Sequence, residues 1–538
     1  MTVHDAVVVG AGPNGLVAAN LLADAGWSVL LLEEQPDVGG AVRSDRELDP
    51  DFVHDTFSAF YPLGAASPAL RALDLEAYGL VWRHAPAVMG HPGLDGSWAL
   101  LHREPEDTAE AFEQAAPGDG ERWLDLCHTW DRVGDSLVEA LFAPFPPVRA
   151  GARLLPAVMR AGGLDLIRTL LLPALDLGRR FDGTGPGLLL AGNAGHADMP
   201  LTSPGSGMFG LLLTMLGQTV GYPVPEGGAG RLSGALADRL RARGGEIRCE
   251  AEVTTVVLTD GRASGVLTRD GEQHAARRAV LADVSAPALF GRLLPPEAVP
   301  AKVTRGLVDY QWDPGTVKVD WALDAPAPWA TAPPVAPGTV HVADSATDMT
   351  TALDQVNAGL VPAAPFLLVG QMTTSDPTRS PAGTESMWAY THVPQAGATT
   401  GDAGDGSVRG VWDRDDCERF ADRMQARIER LAPGFGSRVR ARRVLGPREL
   451  EARNRNLVGG AVNGGTAQLH QELVFRPVPA LRGRPETGVP GLYLASASAH
   501  PGGGVHGAPG QNAARAALVH GRWRGVGRVL DARPRRHR

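Results

Sequence analysis

Apolar runs alternate with glycine-rich turns and Ala/Leu-rich stretches at the start of the chain. Val7–Val9 predict a short buried strand, and Leu16–Ala25 predict a helix that ends at Gly26. Glycine directly after the last helical residue is a common stop signal, because it adopts the left-handed conformation without strain. A second apolar run, Ser28–Leu32, predicts the next strand. The order strand, turn, helix, strand indicates a βαβ unit.

The glycines of the first turn are spaced as in a nucleotide-binding loop, Gly10-x-Gly12-x-x-Gly15. In such a loop the first glycine permits a tight turn, the second lets backbone approach a pyrophosphate, and the third lets helix and strand pack closely. Glu33 ends the second strand, where a carboxylate can accept hydrogen bonds from ribose hydroxyls. A plain βαβ turn is the alternative. The residues predicted to bind a dinucleotide here are Gly10, Gly12, Pro13, Asn14, Gly15 and Glu33.

The C-terminal part of the chain repeats the succession of strand, glycine loop and helix. Leu492–Ala495 predict a buried strand, three glycines follow Pro501, and the Ala-rich spacing from Gln511 predicts a helix. Glycine loses much conformational entropy on folding, so a dense group of glycines indicates backbone that turns sharply or touches a ligand closely. The sequence therefore predicts a second ligand-binding loop here.

A third segment, residues 222–254, places Pro225 before paired glycines, an amphipathic helix and a strand near Val253. The runs Glu246–Ala263, Val266–Thr268 and Ala279–Ala282 predict the strands of an inserted sheet.

The residues after Glu33 carry a resemblance to a known group of flavoproteins. Paired glycines at Gly39 and Gly40 precede Arg43, and the pattern E-x(5)-G-G followed by a basic residue resembles the signature of glutathione-reductase-like and amine-oxidase-like flavoproteins. The stretch LYLASASAHPGGGVHGAPGQNAARAAL resembles the C-terminal signature of the phytoene desaturase family, which includes the carotenoid desaturases; Ser496 stands where that signature has glycine. NAD dehydrogenases generally lack the glycine pair, so the resemblance implies FAD.

The resemblance also implies positions for the cofactor. The glycine pair is expected against the phosphates, the strand near Val253 beside the adenine, and the C-terminal loop beside the flavin. The implied FAD-binding residues beyond the first turn are Gly39, Gly40, Arg43, Val253, Ser496, Gly502, Gly503, Gly504 and Val505.

The expected fold is α/β, with a Rossmann-type, glutathione-reductase-like FAD-binding domain and an inserted mixed α+β substrate domain. Because the cofactor segments are far apart in sequence, the FAD-binding domain is predicted to be discontinuous, formed by residues 1–60, 224–300 and 485–538. Residues 61–223 and 301–484 are predicted to form the substrate domain. A chain of 538 residues is long enough for two such domains.

The net charge, the cysteine spacing and the apolar runs of the chain argue against several classes of function. The net charge of −9 gives no reason to expect nucleic acid as a partner. Cys127, Cys249 and Cys417 form no Cys-x-x-Cys pair, so a zinc ribbon or an adjacent redox dithiol is not expected, and no metal site is predicted. The apolar run Gly207–Pro225 is interrupted by polar residues and predicts a buried helix, and no signal peptide precedes the first strand. A cytoplasmic protein is expected.

Catalytic side chains are not fixed by the sequence. His500 and His506 flank the C-terminal glycines and can either touch the substrate or fix the loop, while Asp55 lies in a segment that lines the flavin in related flavoproteins and can equally cap a turn. Amine oxidases place a lysine-held water near the flavin, and Lys318 is the candidate here. It alternates with valines in TVKVDWAL, however, and this pattern favours an outward-facing strand residue. No nucleophile signature is present.

The segment Leu154–Phe181 mixes long apolar residues with four arginines. A lid or core helix is the favoured interpretation, and peripheral membrane contact is the alternative. The predicted function is an FAD-dependent dehydrogenase or desaturase that removes hydride from a hydrophobic, isoprenoid-like substrate. An amine-type oxidase of a polar substrate and a non-catalytic flavin-binding interaction protein are the alternatives. The electron acceptor and the oligomeric state are not predicted.

Overall fold

A computed structural model describes residues 3–531 of the protein, with side chains up to residue 522. In chain order, the strands are β1 (Val3–Val9), β2 (Val29–Leu32), β3 (Ser44–Asp45), β4 (His54–Asp55), β5 (Trp82–Arg83), β6 (Ala87–Pro92), β7 (Trp98–Leu101), β8 (Val224–Pro225), β9 (Glu246–Arg248), β10 (Val253–Thr259), β11 (Arg262–Thr268), β12 (Gln273–Ala282), β13 (Gly315–Leu323), β14 (Pro337–Val342), β15 (Leu360–Val361), β16 (Leu367–Gln371), β17 (Glu385–Val393), β18 (Gly401–Asp402), β19 (Val439–Leu445) and β20 (Leu492–Leu494).

The helices connect and cover these strands. In chain order they are α1 (Pro13–Asp24), α2 (Pro62–Ala66), α3 (Pro68–Arg71), α4 (Pro105–Ala115), α5 (Asp119–Phe142), α6 (Val148–Arg160), α7 (Leu164–Leu171), α8 (Ala174–Gly178), α9 (Thr184–Ala194), α10 (Ser206–Thr219), α11 (Gly230–Ala242), α12 (Ala286–Ala288), α13 (Ala301–Val308), α14 (Ala346–Asn357), α15 (Met372–Ser375), α16 (Arg414–Leu431), α17 (Pro447–Arg453) and α18 (Ala508–Asp531).

The first sheet has the order β10-β11-β12-β1-β2-β9, and β20 pairs with β12. β1 is parallel to β2 and β12, β2 to β9, and β12 to β20, whereas β10, β11 and β12 form an antiparallel meander. The predicted strand Glu246–Ala263 is wrong: it breaks at Glu250, which has a left-handed φ of 55°, and again at the turn of Asp260 and Gly261. Its first part pairs with β2 as β9. The meander is not a separate sheet, because β12 pairs with β1.

Helices α1, α11 and α18 share one apolar core with the first sheet. The contact between α18 and the start of α1 is very close, since a Cβ on Gly510 would lie 1.9 Å from the carbonyl oxygen of Asn14. Only glycine permits this approach. Helix α18 therefore meets the glycine turn after β1.

The second sheet has the order β19-β13-β17-β16-β14-β6-β7. Val317, Val319 and Trp321 of β13 point to one face and share a core with Phe420 and Met424 of α16. The alternate residues of β13 point to the opposite face, because successive side chains of a strand alternate. Both faces of this sheet are buried, and the second face turns towards the first sheet.

A group of helices, α4 to α10, follows β7 and packs beside the second sheet. Most of α10 is buried, as the apolar run Gly207–Pro225 predicts. Within residues 3–531 there is no helix that combines the length and the apolar character needed to cross a membrane.

Candidate active site

A cavity of about 1020 Å³ extends from the glycine turn after β1 to the inner face of the second sheet. Sites for single small ligands commonly span about 300–1,000 Å³, so this cavity has room for more than an ordinary ligand. Of the residues predicted from the sequence, Gly10, Gly12, Pro13, Asn14, Glu33, Gly40, Val253, Ser496, Gly503, Gly504, Val505, His500 and His506 line it.

The glycine turn is packed so tightly that side chains are excluded. Gly10 has a left-handed φ of 95°, and a Cβ on Gly15 would lie 2.0 Å from the carbonyl oxygen of Gly10. The N–H of Gly15 donates to Oδ2 of Asp283 at 2.9 Å, and a Cβ on Gly12 would lie 2.7 Å from the same oxygen. Burial raises the pKa of Asp283 to about 7, while the N–H of Gly15 lowers it. Gly15 thus serves the packing of the turn and does not line the cavity.

Glu33, at the end of β2, stabilises the turn by hydrogen bonds to backbone N–H groups. Its carboxylate accepts from the N–H of Ala11 at 2.7 Å and from the N–H of Gln35 at 3.0 Å. Burial raises the pKa of Glu33, against the effect of these two donors. The side-chain oxygen of Asn14 is buried and has no hydrogen-bond partner among the described residues. The first N–H groups of a helix lack partners within it, but Pro13 has no N–H and that of Gly15 donates to Asp283. The side-chain oxygen of Asn14 is thus left as an unsatisfied polar atom at the start of α1.

The second glycine pair lies against the first turn. Gly40 has a φ of 54°, and a Cβ there would lie 2.9 Å from the Cα of Gly12. Gly39 faces the other way, since its Cβ would lie 2.4 Å from the carbonyl oxygen of Val42.

Arg43 does not line the cavity, which corrects its predicted role as a direct ligand. It donates to the carbonyl oxygen of Arg453 at 2.8 Å, and its guanidinium lies over the ring of Phe57. Burial lowers the pKa of Arg43, and Glu33 opposes this. The arginine therefore ties the Arg453 segment to the glycine pair.

Some residues of the C-terminal loop line the cavity, and others pack against neighbouring side chains. Ser496, Gly503, Gly504 and Val505 line the cavity. Gly502 does not, because a Cβ there would lie 3.2 Å from the guanidinium carbon of Arg476. The prediction that Gly502 contacts FAD is therefore corrected to a packing role.

The two histidines of this loop differ in how many of their ring nitrogens have a hydrogen-bond partner. His506 uses both ring nitrogens: Nε2 lies 3.1 Å from the carbonyl oxygen of Gly503, and Nδ1 accepts from the N–H of Ala508 at 3.1 Å. In His500, Nε2 lies 3.2 Å from the carbonyl oxygen of Ala143, whereas Nδ1 has no partner among the described residues. Burial lowers the pKa of both to about 4, so both rings are neutral at pH 7. His506 fixes the loop, and His500 keeps a ring nitrogen for a ligand.

Asp55 is not available as a catalytic group. Its carboxylate accepts from the guanidinium of Arg379 at 2.8 Å, from the N–H of Ala229 at 2.7 Å and from the hydroxyl of Ser44 at 2.7 Å. The residue is fully buried and does not line the cavity. Asp55 joins three separate segments instead, which also differs from the local turn cap considered above.

Lys318 is buried and lines the cavity, so the prediction of an outward-facing residue is wrong. Its Nζ donates to the carbonyl oxygen of Asp55 at 2.9 Å and to the carboxylate of Asp320. Asp320 also accepts from Arg443 at 2.8 and 3.0 Å. Burial lowers the pKa of Lys318 although Asp320 opposes the shift. The alternation in TVKVDWAL arises from a sheet covered on both faces.

The segment 453–457 also lines the cavity and was missed by the sequence reasoning. The side chain of Asn456 donates to the carbonyl oxygen of Asp283 at 3.0 Å and accepts from the N–H of Ser285 at 2.9 Å. These contacts span more than 170 residues of sequence, and only the polar run R-N-R-N marks the place.

Comparisons with known proteins agree with this geometry. The family model described as an NAD(P)-binding Rossmann-like domain matches residues 8–73. The chain is 30% identical over 556 residues to pyridine nucleotide-disulfide oxidoreductase domain-containing protein 2 of Mus musculus, covering 95% of this chain and 92% of the relative. It is 26% identical over 297 residues to the neurosporene-forming phytoene desaturase of Rhodobacter capsulatus, covering 55% and 53%. The structure of cyclohexylamine oxidase from Brevibacterium oxydans shares the fold, with a TM-score of 0.58, 14% identity and coverage of 97% and 100%.

The residues present fit a flavin dinucleotide. The glycine turns form a cradle in which added Cβ atoms would clash, Asn14 carries a buried polar atom without a partner, and a carboxylate stands at the end of β2. The α/β fold class and the superfamily predicted from the motifs are confirmed. The chain belongs to the family of pyridine nucleotide-disulfide oxidoreductase domain-containing protein 2, within the amine-oxidase-like flavoprotein superfamily, and is an FAD-dependent oxidoreductase.

Proposed function

We propose that the protein is a dehydrogenase or desaturase that removes hydride from a C–H bond of a hydrophobic, isoprenoid-like substrate. The observation that carries this proposal is the apolar lining of the cavity between the C-terminal glycine loop and the second sheet. Leu137, Leu141, Phe142, Leu212 and Leu213 contribute to it. FAD, when bound, supplies the acceptor for the two electrons. Relatives named as desaturases of phytoene and of hydroxyneurosporene support the substrate class.

The glycine turn, Asn14 and Glu33 would hold the pyrophosphate and ribose of FAD, and Val253 would lie beside the adenine. Gly503, Gly504 and Val505 would face the flavin. The lining residues, the unpartnered oxygen of Asn14 and the position of the turn at the N-terminus of α1 support these assignments.

The protein would keep water and charge away from the reacting bond. His500 and His506 are neutral at pH 7 because burial lowers the pKa of both. The charge of Lys318 is paired with Asp320. A site in which these histidines are neutral and the lysine is paired suits a substrate that has no charge of its own.

We further propose that α6 and α7 touch a membrane from which the substrate enters. Leu155, Met159 and Leu164 are 65%, 64% and 81% exposed, which argues against a core helix and not against a lid. Exposed arginines, among them Arg149 and Arg160, lie on the same helices. Apolar side chains beside basic ones are typical of helices that lie in the membrane interface.

The position of these helices supports substrate delivery. Leu154, which precedes the exposed Leu155, lines the cavity, as do Phe145 and Pro147 before α6. A molecule leaving the bilayer at α6 would thus reach the cavity directly.

The experiment for the reaction is anaerobic reduction of the bound flavin by candidate donors, followed as loss of the flavin absorbance. Isoprenoid donors are expected to bleach the flavin and putrescine is not. Bleaching by putrescine with peroxide formation in air would instead favour an amine-type oxidase. Failure of every donor, together with tight binding of a partner protein, would favour a non-catalytic flavin protein.

The experiment for membrane contact is cosedimentation with phosphatidylglycerol vesicles. The double variant Leu155→Glu, Met159→Glu is expected to lose most of the binding. Leu94→Glu is the matched control, since Leu94 is 59% exposed in the loop between β6 and β7. Equal loss in both variants, or no binding by the unaltered protein, would overturn the proposal.

A further inference from the structure

A chain of three ring side chains lies at the second-sheet end of the cavity. The hydroxyl of Tyr390 is 3.2 Å from Nδ1 of His196, and Nε2 of His196 is 3.2 Å from Nε2 of His341. Tyr390 and His196 line the cavity, whereas His341 stands behind them on β14. The two histidines fix the orientation of the tyrosine ring and its hydroxyl.

This chain carries no charge at neutral pH. Burial lowers the pKa of His196 to about 3 and that of His341 well below its ordinary value, and it raises the pKa of Tyr390. A neutral imidazole has one donor and one acceptor nitrogen. Whichever nitrogen of His196 carries the hydrogen, the Tyr390 hydroxyl keeps either its own hydrogen or its free lone pairs for a molecule in the cavity.

Two further polar groups stand on the same face of the sheet. Lys318 is the direct cross-strand partner of Tyr390, and Thr316 pairs with His392, two residues further along. Thr316 lines the cavity, and its hydroxyl is buried and has no hydrogen-bond partner among the described residues. An ammonium group has three hydrogens, and the described residues provide two acceptors for Lys318. A buried hydroxyl without a partner costs free energy unless a ligand satisfies it.

We propose that this end of the cavity is a subsite for an oxygen atom of the substrate, a carbonyl or a hydroxyl, bound by Tyr390 and Thr316. The substrate is then an apolar molecule that carries an oxygen function, rather than a pure hydrocarbon. The apolar walls hold its chain, and the polar end sets which carbons lie beside the C-terminal loop. This inference rests on the proposed function, because it assigns the orientation of the same substrate.

A further tyrosine of the wall, Tyr222, does not provide such a subsite. The hydroxyl of Tyr222 lines the cavity too, but it already donates to the side-chain oxygen of Asn193 at 2.8 Å. It therefore offers a matched control for Tyr390.

The test compares the binding of farnesene, a hydrocarbon, with that of farnesal, which has a similar chain and an aldehyde oxygen. Binding to the FAD-loaded protein is measured by titration calorimetry. The unaltered protein is expected to bind farnesal about tenfold more tightly, as one hydrogen bond provides. Tyr390→Phe is expected to abolish the preference and leave farnesene affinity within about twofold. Tyr222→Phe is expected to keep the preference.

Additional variants separate binding from folding and positioning. Thr316→Val is expected to reduce the preference for farnesal over farnesene. Because this variant leaves Tyr390 unchanged, it still tests the subsite if Tyr390→Phe does not fold. His196→Phe removes the partner of Tyr390 and is expected to reduce the preference while farnesene affinity is unchanged.

Equal affinity for the two probes in the unaltered protein would overturn the oxygen subsite and leave the proposed function standing. Equal weakening of both probes in Tyr390→Phe would also overturn it. If neither probe binds, the proposed function itself fails and the subsite with it.

Discussion

The buried ion cluster of Lys318, Asp320 and Arg443 predicts that loss of the aspartate destabilises the protein more than loss of the lysine. Asp320 bonds both cations, with Arg443 at 2.8 and 3.0 Å, whereas Asp320 is the one carboxylate among the described residues that Lys318 bonds. Burial opposes ionisation of Asp320, yet Lys318 and Arg443 hold its pKa below the ordinary value. Removing one member of a buried pair costs about 3–5 kcal/mol because the other charge is left buried.

Asp320→Asn leaves Lys318 with neutral carbonyl oxygens as acceptors and no carboxylate, so the full cost of about 3–5 kcal/mol is expected. Lys318→Met leaves Asp320 paired with Arg443, and the expected cost is about 1–3 kcal/mol, typical of losing a charged hydrogen bond. Arg443 keeps Asp45 in both variants, at 2.7 Å.

The assay is urea unfolding of the FAD-loaded protein followed by tryptophan fluorescence, with the free energy of unfolding taken from midpoint and slope. Asp238→Asn is the control, because its ion pair with Arg241 is exposed and should shift the midpoint little. A larger loss in Lys318→Met than in Asp320→Asn would refute the role assigned to Arg443. No loss in Asp320→Asn would refute the buried cluster itself.

Three further predictions concern the first glycine turn, helix α11 and the buried His91. Gly15→Ala should destabilise the protein by about 1–3 kcal/mol and weaken FAD binding, because its Cβ would meet the carbonyl oxygen of Gly10. Gly234→Ala, whose Cβ has open space in α11, should stabilise by about 1 kcal/mol in the same unfolding assay. His91 is buried with its pKa lowered to about 4, so the unfolded chain binds its proton first and stability should fall as the pH drops from about 6.5 towards 4. His91→Gln should flatten this loss in thermal unfolding measured across that range; a profile as steep as that of the exposed control His128→Gln would contradict the assignment.

The parts of the site that could be predicted are those fixed by local backbone geometry. The turn after β1 needs glycine at Gly10 and Gly15 whatever surrounds it, because the chain contacts itself within a few residues. Spacing therefore revealed the turn, and Glu33 followed from the length of the helix and strand between them. The C-terminal loop was found for the same reason.

The parts that could not be predicted depend on layers that meet only in the folded protein. Alternation along β13 predicts two faces but not that both are covered, so Lys318 was placed in solvent. Arg43 and Gly502 stand in the right motifs, but they face Arg453 and Arg476 and not the cavity. The domain boundaries stay a prediction, although the strands of the first sheet come from residues 3–32, 246–282 and 492–494.

The most direct test of the account is the FAD content of the purified protein, measured by absorbance before and after denaturation and by the mass of the released cofactor. The unaltered protein is predicted to release one FAD per chain. The double variant Gly12→Ala, Glu33→Ala, which crowds Asp283 and removes the brace of the turn, is predicted to lose it while the fold is retained. An unaltered protein that takes up no FAD, or a double variant that keeps its full content, would contradict the placement of the cofactor between the two ends of the chain.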